Sequence, residues 1–388
     1  MKQVYLDNSA TTKICAEALQ KYIEVSEGCF GNPSSLHSLG FSAEKEIQNA
    51  ARTVAESLGA KGATVIFTSS GTEANNLAIL GRAGAKERFK GGKIITTDSE
   101  HASVNEPLEA LRAKGFKIAK IPTKGGKLDT GALLSELTPD VVLVTMMMVN
   151  NETGALYDLR TVSDMMRSGC PAAYLHVDAT QSYMKIPFTL SSLGADMVTV
   201  SSHKIEGPKG VGALVVSERV IKEKGIVPVT LGGGQQKGFR SGTENVPGIC
   251  GFGAAVLRAK AGLSENRVKM SALRERIISE IREDGVLSSI SITLPEVCAP
   301  HILNITLPKI KSETMLHYLS GEGVFVSSGS ACSSNTGHLS GALVAFGRTL
   351  EEADCSLRIS LCPENTDEDV DALLSALRSG LSRLSRMR

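Results

Sequence analysis

One lysine stands behind two serines and a histidine in Ser201-Ser202-His203-Lys204, just past the apolar run Met197-Val198-Thr199-Val200. A primary amine at the end of a buried strand suits Schiff-base chemistry with an aldehyde cofactor, and its hydroxyl neighbours suit a phosphate. Asp178, in Val177-Asp178-Ala179, ends another apolar run one strand–turn–strand unit earlier. An acid at the carboxyl edge of an α/β sheet lies where ligands bind. It can hold a protonated ring nitrogen, as the acid partner of pyridoxal phosphate (PLP) does. Lys209, in Gly207-Pro208-Lys209-Gly210, is the competing amine, but a Gly/Pro turn reads as surface.

Other stretches gain meaning from that pair. Thr68-Ser69-Ser70-Gly71-Thr72-Glu73 follows a strand and opens a helix, as either a simple cap or an anion site. Glu100-His101 also follows a strand, where an imidazole can stack on a planar ring and move protons, or serve structure alone. Asn151, in Asn150-Asn151-Glu152, can donate to a ring oxygen, or sit in an ordinary Asn-rich turn. Gly232-Gly233-Gly234, ahead of Arg240-Ser241-Gly242-Thr243, reads as a flexible connection or a close backbone approach. Cys332, in Ser330-Ala331-Cys332-Ser333, stands among small polar residues, as an accessible thiol or an incidental loop cysteine.

The elements that position these residues alternate. Strand-like runs fall at 64–67, 93–97, 141–145, 173–177, 197–201 and 212–216, with helical patterns between them. Several runs are apolar throughout, as strands buried on both faces of a parallel sheet are. The later chain differs. A charged helix is expected over 264–283 with Ser264 as its cap. Strands are expected at 301–307, 324–327 and 356–360, and a last helix capped by Thr366. The fold class is therefore α/β: a large domain over 16–249 with a mostly parallel central sheet flanked by helices, and a smaller α+β domain of 1–15 and 250–388. Net charge is +1 and aromatics make up 4% of the chain, which argues against nucleic acid. No apolar run reaches membrane-spanning or signal-peptide length, so a cytoplasmic setting is expected. None of the eight cysteines forms a CxxC pair, which argues against a zinc site; seven are expected to be buried thiols.

Taken in order, these motifs resemble the PLP-dependent cysteine desulfurases of the NifS/IscS type. The resemblance also rests on Tyr5-Leu6-Asp7-Asn8-Ser9-Ala10-Thr11-Thr12, Gly31-Asn32-Pro33-Ser34-Ser35-Leu36-His37 and Leu357-Arg358-Ile359-Ser360. It implies that Lys204 carries PLP, that Asp178 pairs with the pyridine nitrogen, and that Gln181 and Asn151 lie at the phenolic oxygen. It gives His101 to ring stacking and proton transfer, and Gly71, Thr72, Ser201 and His203 to the phosphate. Arg358 clamps the substrate carboxylate, and Cys332 takes sulfur from L-cysteine as a persulfide, leaving L-alanine. Thr243 reaches the phosphate of a second copy, implying a homodimer. A sulfur-acceptor protein, for iron–sulfur clusters or tRNA thiolation, is the implied partner. Two other readings are another PLP enzyme of this fold and a non-catalytic sulfur carrier. The loop thiol argues against the first, and the presence of Lys204 and Asp178 against the second. Departures from the pattern are Ser202 in place of a common glycine, Glu206 in place of a frequent aromatic, and Leu361-Cys362-Pro363-Glu364 after the arginine motif. The chain also ends soon after its last helix, so the resemblance names no particular acceptor.

Overall fold

The structure is a computed structural model that describes residues 3–85, 91–328 and 340–384. Its strands, in chain order, are β1 (Val4–Tyr5), β2 (Thr64–Thr68), β3 (Lys93–Thr97), β4 (Lys117–Ile121), β5 (Val141–Met147), β6 (Tyr174–Asp178) and β7 (Met197–Ser201). They continue with β8 (Gly212–Val216), β9 (Ser291–Thr293), β10 (Ile302–Thr306), β11 (Val324–Phe325), β12 (Ser327–Ser328) and β13 (Ser356–Ser360). Seven of them form the main sheet in the order β2-β8-β7-β6-β5-β3-β4. All neighbours are parallel except β8, which runs antiparallel to both β2 and β7.

Every residue of β5, β6, β7 and β8 is buried. Alternate side chains serve opposite faces, as the two-residue strand period requires. Phe67, Ile95, Val144 and Val198 join one core with the helices Ala16–Gly28, Ser38–Ser57 and Val246–Ala261. Ile66, Ile94, Leu143 and Met197 join a second core with the helices Gly71–Gly84 and Ala102–Ala113. Burial on both faces is what makes these strands read as unbroken apolar runs.

The smaller sheet, β12-β13-β10-β9, is antiparallel. A third core lies beside it, between the helices Leu263–Glu283, Ser312–Gly321 and Asp367–Leu384. Val4 and Leu6 belong to that core, and β1 pairs in parallel with β11. The beginning of the chain is thus bound to its late segments.

Some local expectations fail. Gly262, not Ser264, holds the cap position of the helix Leu263–Glu283, and no side chain caps it. Thr366 does not cap the last helix: its hydroxyl is buried without a partner. The Asp369 carboxylate there accepts instead from the Thr366 N–H. The expected strand at 324–327 is two short strands in different sheets. Of the seven described cysteines, Cys29, Cys298 and Cys362 are only partly buried. No helix of the described residues is long and apolar enough to cross a membrane.

Candidate active site

The carboxyl ends of β2, β3, β5, β6 and β7 reach one edge of the main sheet, and the segments leaving them line a cavity of about 320 Å³. Gly71, Thr72, His101, Asn151, Asp178, Gln181, Ser201, His203, Lys204 and Arg358 all face it. Thr243 does not: it is exposed, outside this cavity. Lys209 is also exposed and outside it. Cys332 lies outside the described residues.

At the anion end, Ser70 caps the helix Gly71–Gly84 by accepting from the Glu73 N–H. Gly71 opens that helix, and a Cβ there would stand 3.1 Å from Thr180 Oγ1 and 3.4 Å from Ser201 Cβ. Ser201 Oγ is buried and has no hydrogen-bond partner. A helix N-terminus flanked by hydroxyls, one of them unsatisfied, is built for a phosphate-like anion. Burial would raise the Glu73 carboxyl, but Arg240 at 2.8 Å and the Ser69 hydroxyl and N–H hold it below its ordinary value.

In the middle, Asp178 Oδ2 accepts from Asn75 Nδ2 at 2.8 Å and Oδ1 from the Thr180 N–H at 2.9 Å. Asn75 also donates to Ser103 Oγ at 2.9 Å, and Ser103 meets His101 Nδ1 at 2.9 Å. His101 caps the helix Ala102–Ala113 by accepting at Nδ1 from the Ser103 N–H. With Nδ1 an acceptor, the neutral ring carries its proton on Nε2. Burial, against the pull of Asp178, holds this imidazole below its usual range. Gln181 donates to the Ser9 carbonyl at 2.9 Å, while its own buried Oε1 is unpartnered.

Lys204 donates to the Ser9 carbonyl at 2.5 Å and the Ala10 carbonyl at 2.7 Å. His203 Nδ1 meets Thr11 Oγ1 at 3.1 Å. Burial and the charges of Lys204, Lys209 and Lys185 push it down to about 4. Arg358, from β13, donates to Asp7 Oδ1 at 2.8 Å and to the Asn151 carbonyl at 3.1 Å. Its Nε is buried without a partner. The cavity therefore joins an amine, an acid, a helix terminus of the kind that suits an anion, and a guanidinium of the kind that pairs with carboxylates.

Residues 4–373 match the family Aminotransferase class-V. The chain belongs to the class-V aminotransferases. It is 38% identical to "Cysteine desulfurase IscS 1" of Archaeoglobus fulgidus, over 99% of this chain and 98% of that protein. A solved NifS-like protein matches it with a TM-score of 0.90 at 35% identity, over 98% of this chain and 100% of that one. A structure of SspA in complex with cysteine matches with a TM-score of 0.78 at 29% identity, over 94% of this chain and 100% of that one. Within the family the chain is of the NifS/IscS type, and this family is PLP-dependent.

In this class-V aminotransferase several site residues escape sequence reasoning. Asn75 hides inside what reads as the first turns of a helix. Ser9 and Ala10 act through backbone carbonyls, which carry no side-chain signal. Glu100 carries no sequence signal beyond its place next to His101, yet its buried carboxyl accepts from the Met147 N–H at 2.9 Å and Thr97 Oγ1 at 2.7 Å. It thereby ties the ends of β3 and β5, and burial pushes it up to about 8 against those bonds. Glu206, Cys362 and Glu364 bring ligand atoms within 4.8 Å of one another, but the Arg258 guanidinium clamps both carboxylates. Two departures from the family pattern thus meet in one ion-pair cluster.

Proposed function

We propose that this chain is a cysteine desulfurase that binds PLP, takes L-cysteine, releases L-alanine, and carries the sulfur as a persulfide on Cys332. The observation that carries the proposal is the convergence of Lys204, Asp178, the Ser70–Thr72 helix terminus and Arg358 on one cavity. The residues fit PLP. Ser201 Oγ and the Gly71 cradle suit its phosphate, Asp178 its ring nitrogen, and the unpartnered Gln181 Oε1 its ring substituent. When bound, PLP supplies the electron sink that loosens the bonds at the substrate's Cα and Cβ.

The chain's own residues supply the rest. Lys204 would hold the cofactor at its aldehyde end and, once free as a neutral amine, would move the substrate's Cα proton. His101, held neutral at the same cavity, would pass protons. Arg358 orients the substrate carboxylate by a planar, two-pronged contact. The Cys332 thiolate attacks the substrate sulfur: an S–S bond forms and the C–S bond breaks. The electron pair and a proton end on the former Cβ, as in L-alanine.

The acceptor would be a protein serving iron–sulfur cluster assembly, tRNA thiolation or another thio-cofactor, in the cytoplasm. A homodimer belongs to the same proposal. Thr243 is exposed on a glycine-rich segment, and Leu36, Phe41 and Leu231 lie exposed on the same molecule. Incubation with L-cysteine and a reductant should give alanine and sulfide in equal amounts. Cys332→Ser should keep the visible spectral response to L-cysteine but release no sulfide. Normal sulfide from that variant would remove the persulfide step, and alanine without sulfide would remove the desulfurase reading.

A further inference from the structure

Behind Lys204 lies a second, smaller cavity of about 30 Å³, sharing that lysine with the site. Lys185, Glu206 and Cys362 line it, with Met184 and Arg258. Lys185 is buried, and its Nζ has no hydrogen-bond partner among the described residues. Glu206 is buried too: Arg258 holds one carboxylate oxygen, while Oε1 is unpartnered. An apolar side chain would fill the Lys185 position without the penalty of burying an ammonium.

The backbone around this cavity is strained at two points. Met184 has φ 56° and Glu206 φ 63°, a left-handed conformation that side chains of these types rarely adopt. Such residues persist where the surroundings enforce them. Strain at both walls, two unsatisfied buried polar atoms, and contact with the proposed cofactor lysine coincide in one place. The volume admits one or two waters beside these polar groups.

We propose that Lys185, which lines this cavity together with Lys204, is a positioning residue that acts through Lys204, its positive charge making Lys204 give up its proton more readily. This rests on the reading that Lys204 carries PLP. Like charges nearby disfavour one another, and the neutral amine is the nucleophile. Other groups also act on Lys185. Glu206 supports its proton only when ionised, and burial and Glu364 push that carboxyl up to about 8; the Cys362 thiol, pushed up to about 12, is neutral, and Arg358 opposes the charge. His301, also buried, lies close enough to feel Lys185 and is held neutral. His203 beside Lys204 is neutral near pH 7 as well. Burial, with the Lys204 charge, brings the Lys185 amine down to about 7. Its charge therefore changes near pH 7.

The test is spectroscopic. Wild type, Lys185→Met and Lys185→Gln are loaded with PLP, and the visible band near roughly 400 nm is titrated with pH. Both neutral variants should keep the band and raise its titration midpoint by on the order of one pH unit. Coloured variants that titrate as wild type does would overturn this inference and leave the Lys204 reading intact. A colourless wild type would overturn both. Variants that unfold at the wild-type temperature but take up no PLP would also overturn it, assigning Lys185 to binding. Loss of the fold in both variants would assign it to structure.

Discussion

Arg358 shows how much one side chain can be asked to do. It leaves β13 in the smaller sheet, yet its guanidinium enters the cavity formed by the larger one, held by Asp7 and the Asn151 carbonyl. Glu152 stands nearby, where burial pushes its carboxyl up to about 7 against the Ser340 hydroxyl and Arg358. Arg358→Lys keeps the charge and loses the planar fork. It should raise the KM for L-cysteine about tenfold or more, since a charged hydrogen bond is worth about 1.5–3 kcal/mol. The visible PLP band should persist, and an unchanged KM would show that another group binds the carboxylate. The arginine was legible because Leu357-Arg358-Ile359-Ser360 is a compact motif on a strand. Asp7, its partner, was part of an opening stretch with no evident chemistry of its own.

Gly212 does comparable work for whole elements. It opens β8 and is paired with Thr68 on one side and Ser201 on the other. A Cβ at this position would lie 2.5 Å from the Ser70 carbonyl carbon and 2.8 Å from the Gly71 nitrogen. The absent side chain lets the Ser70–Gly71 turn, the proposed phosphate site, lie across the strand end. Gly212→Val should destabilise the fold by about 1–3 kcal/mol, the usual range for overpacking, and weaken PLP retention. Gly28→Ala, with nothing within 4 Å, should do neither. Equal melting temperatures and PLP affinities for the two variants would refute the close-approach argument. Elements with one dominant period were plain from sequence. Lys117–Ile121 was not, because this edge strand mixes lysines with apolar residues and is largely unburied. Helix ends were read less well than strands. The uncapped start at Gly262 and the Asp369 carboxylate that accepts from the Thr366 N–H depend on local chain geometry, which residue type does not reveal.

At the scale of the molecule, the proposed dimer is the part the single chain cannot complete. Sedimentation should give a species of twice 41.0 kDa. Leu231→Asp should shift it toward the monomer and loosen PLP, as Thr243 is withdrawn from the second site. A monomer that holds PLP fully would exclude that role for Thr243. Within one chain, the stretch from Val4 to Thr12 crosses from the smaller core to the active cavity. Its Val4 and Asn8 N–H groups donate to carbonyls at Gly323 and Ser360, while its Ser9 and Ala10 carbonyls accept from Lys204. A chain is made in sequence order, and domains generally fold as units in that order. The partners of this stretch at Gly323 and Ser360 lie beyond the whole of the large sheet in the sequence. The large sheet can therefore assemble before those partners exist, and the setting of the Ser9 and Ala10 carbonyls against Lys204 is completed only when the later segments dock.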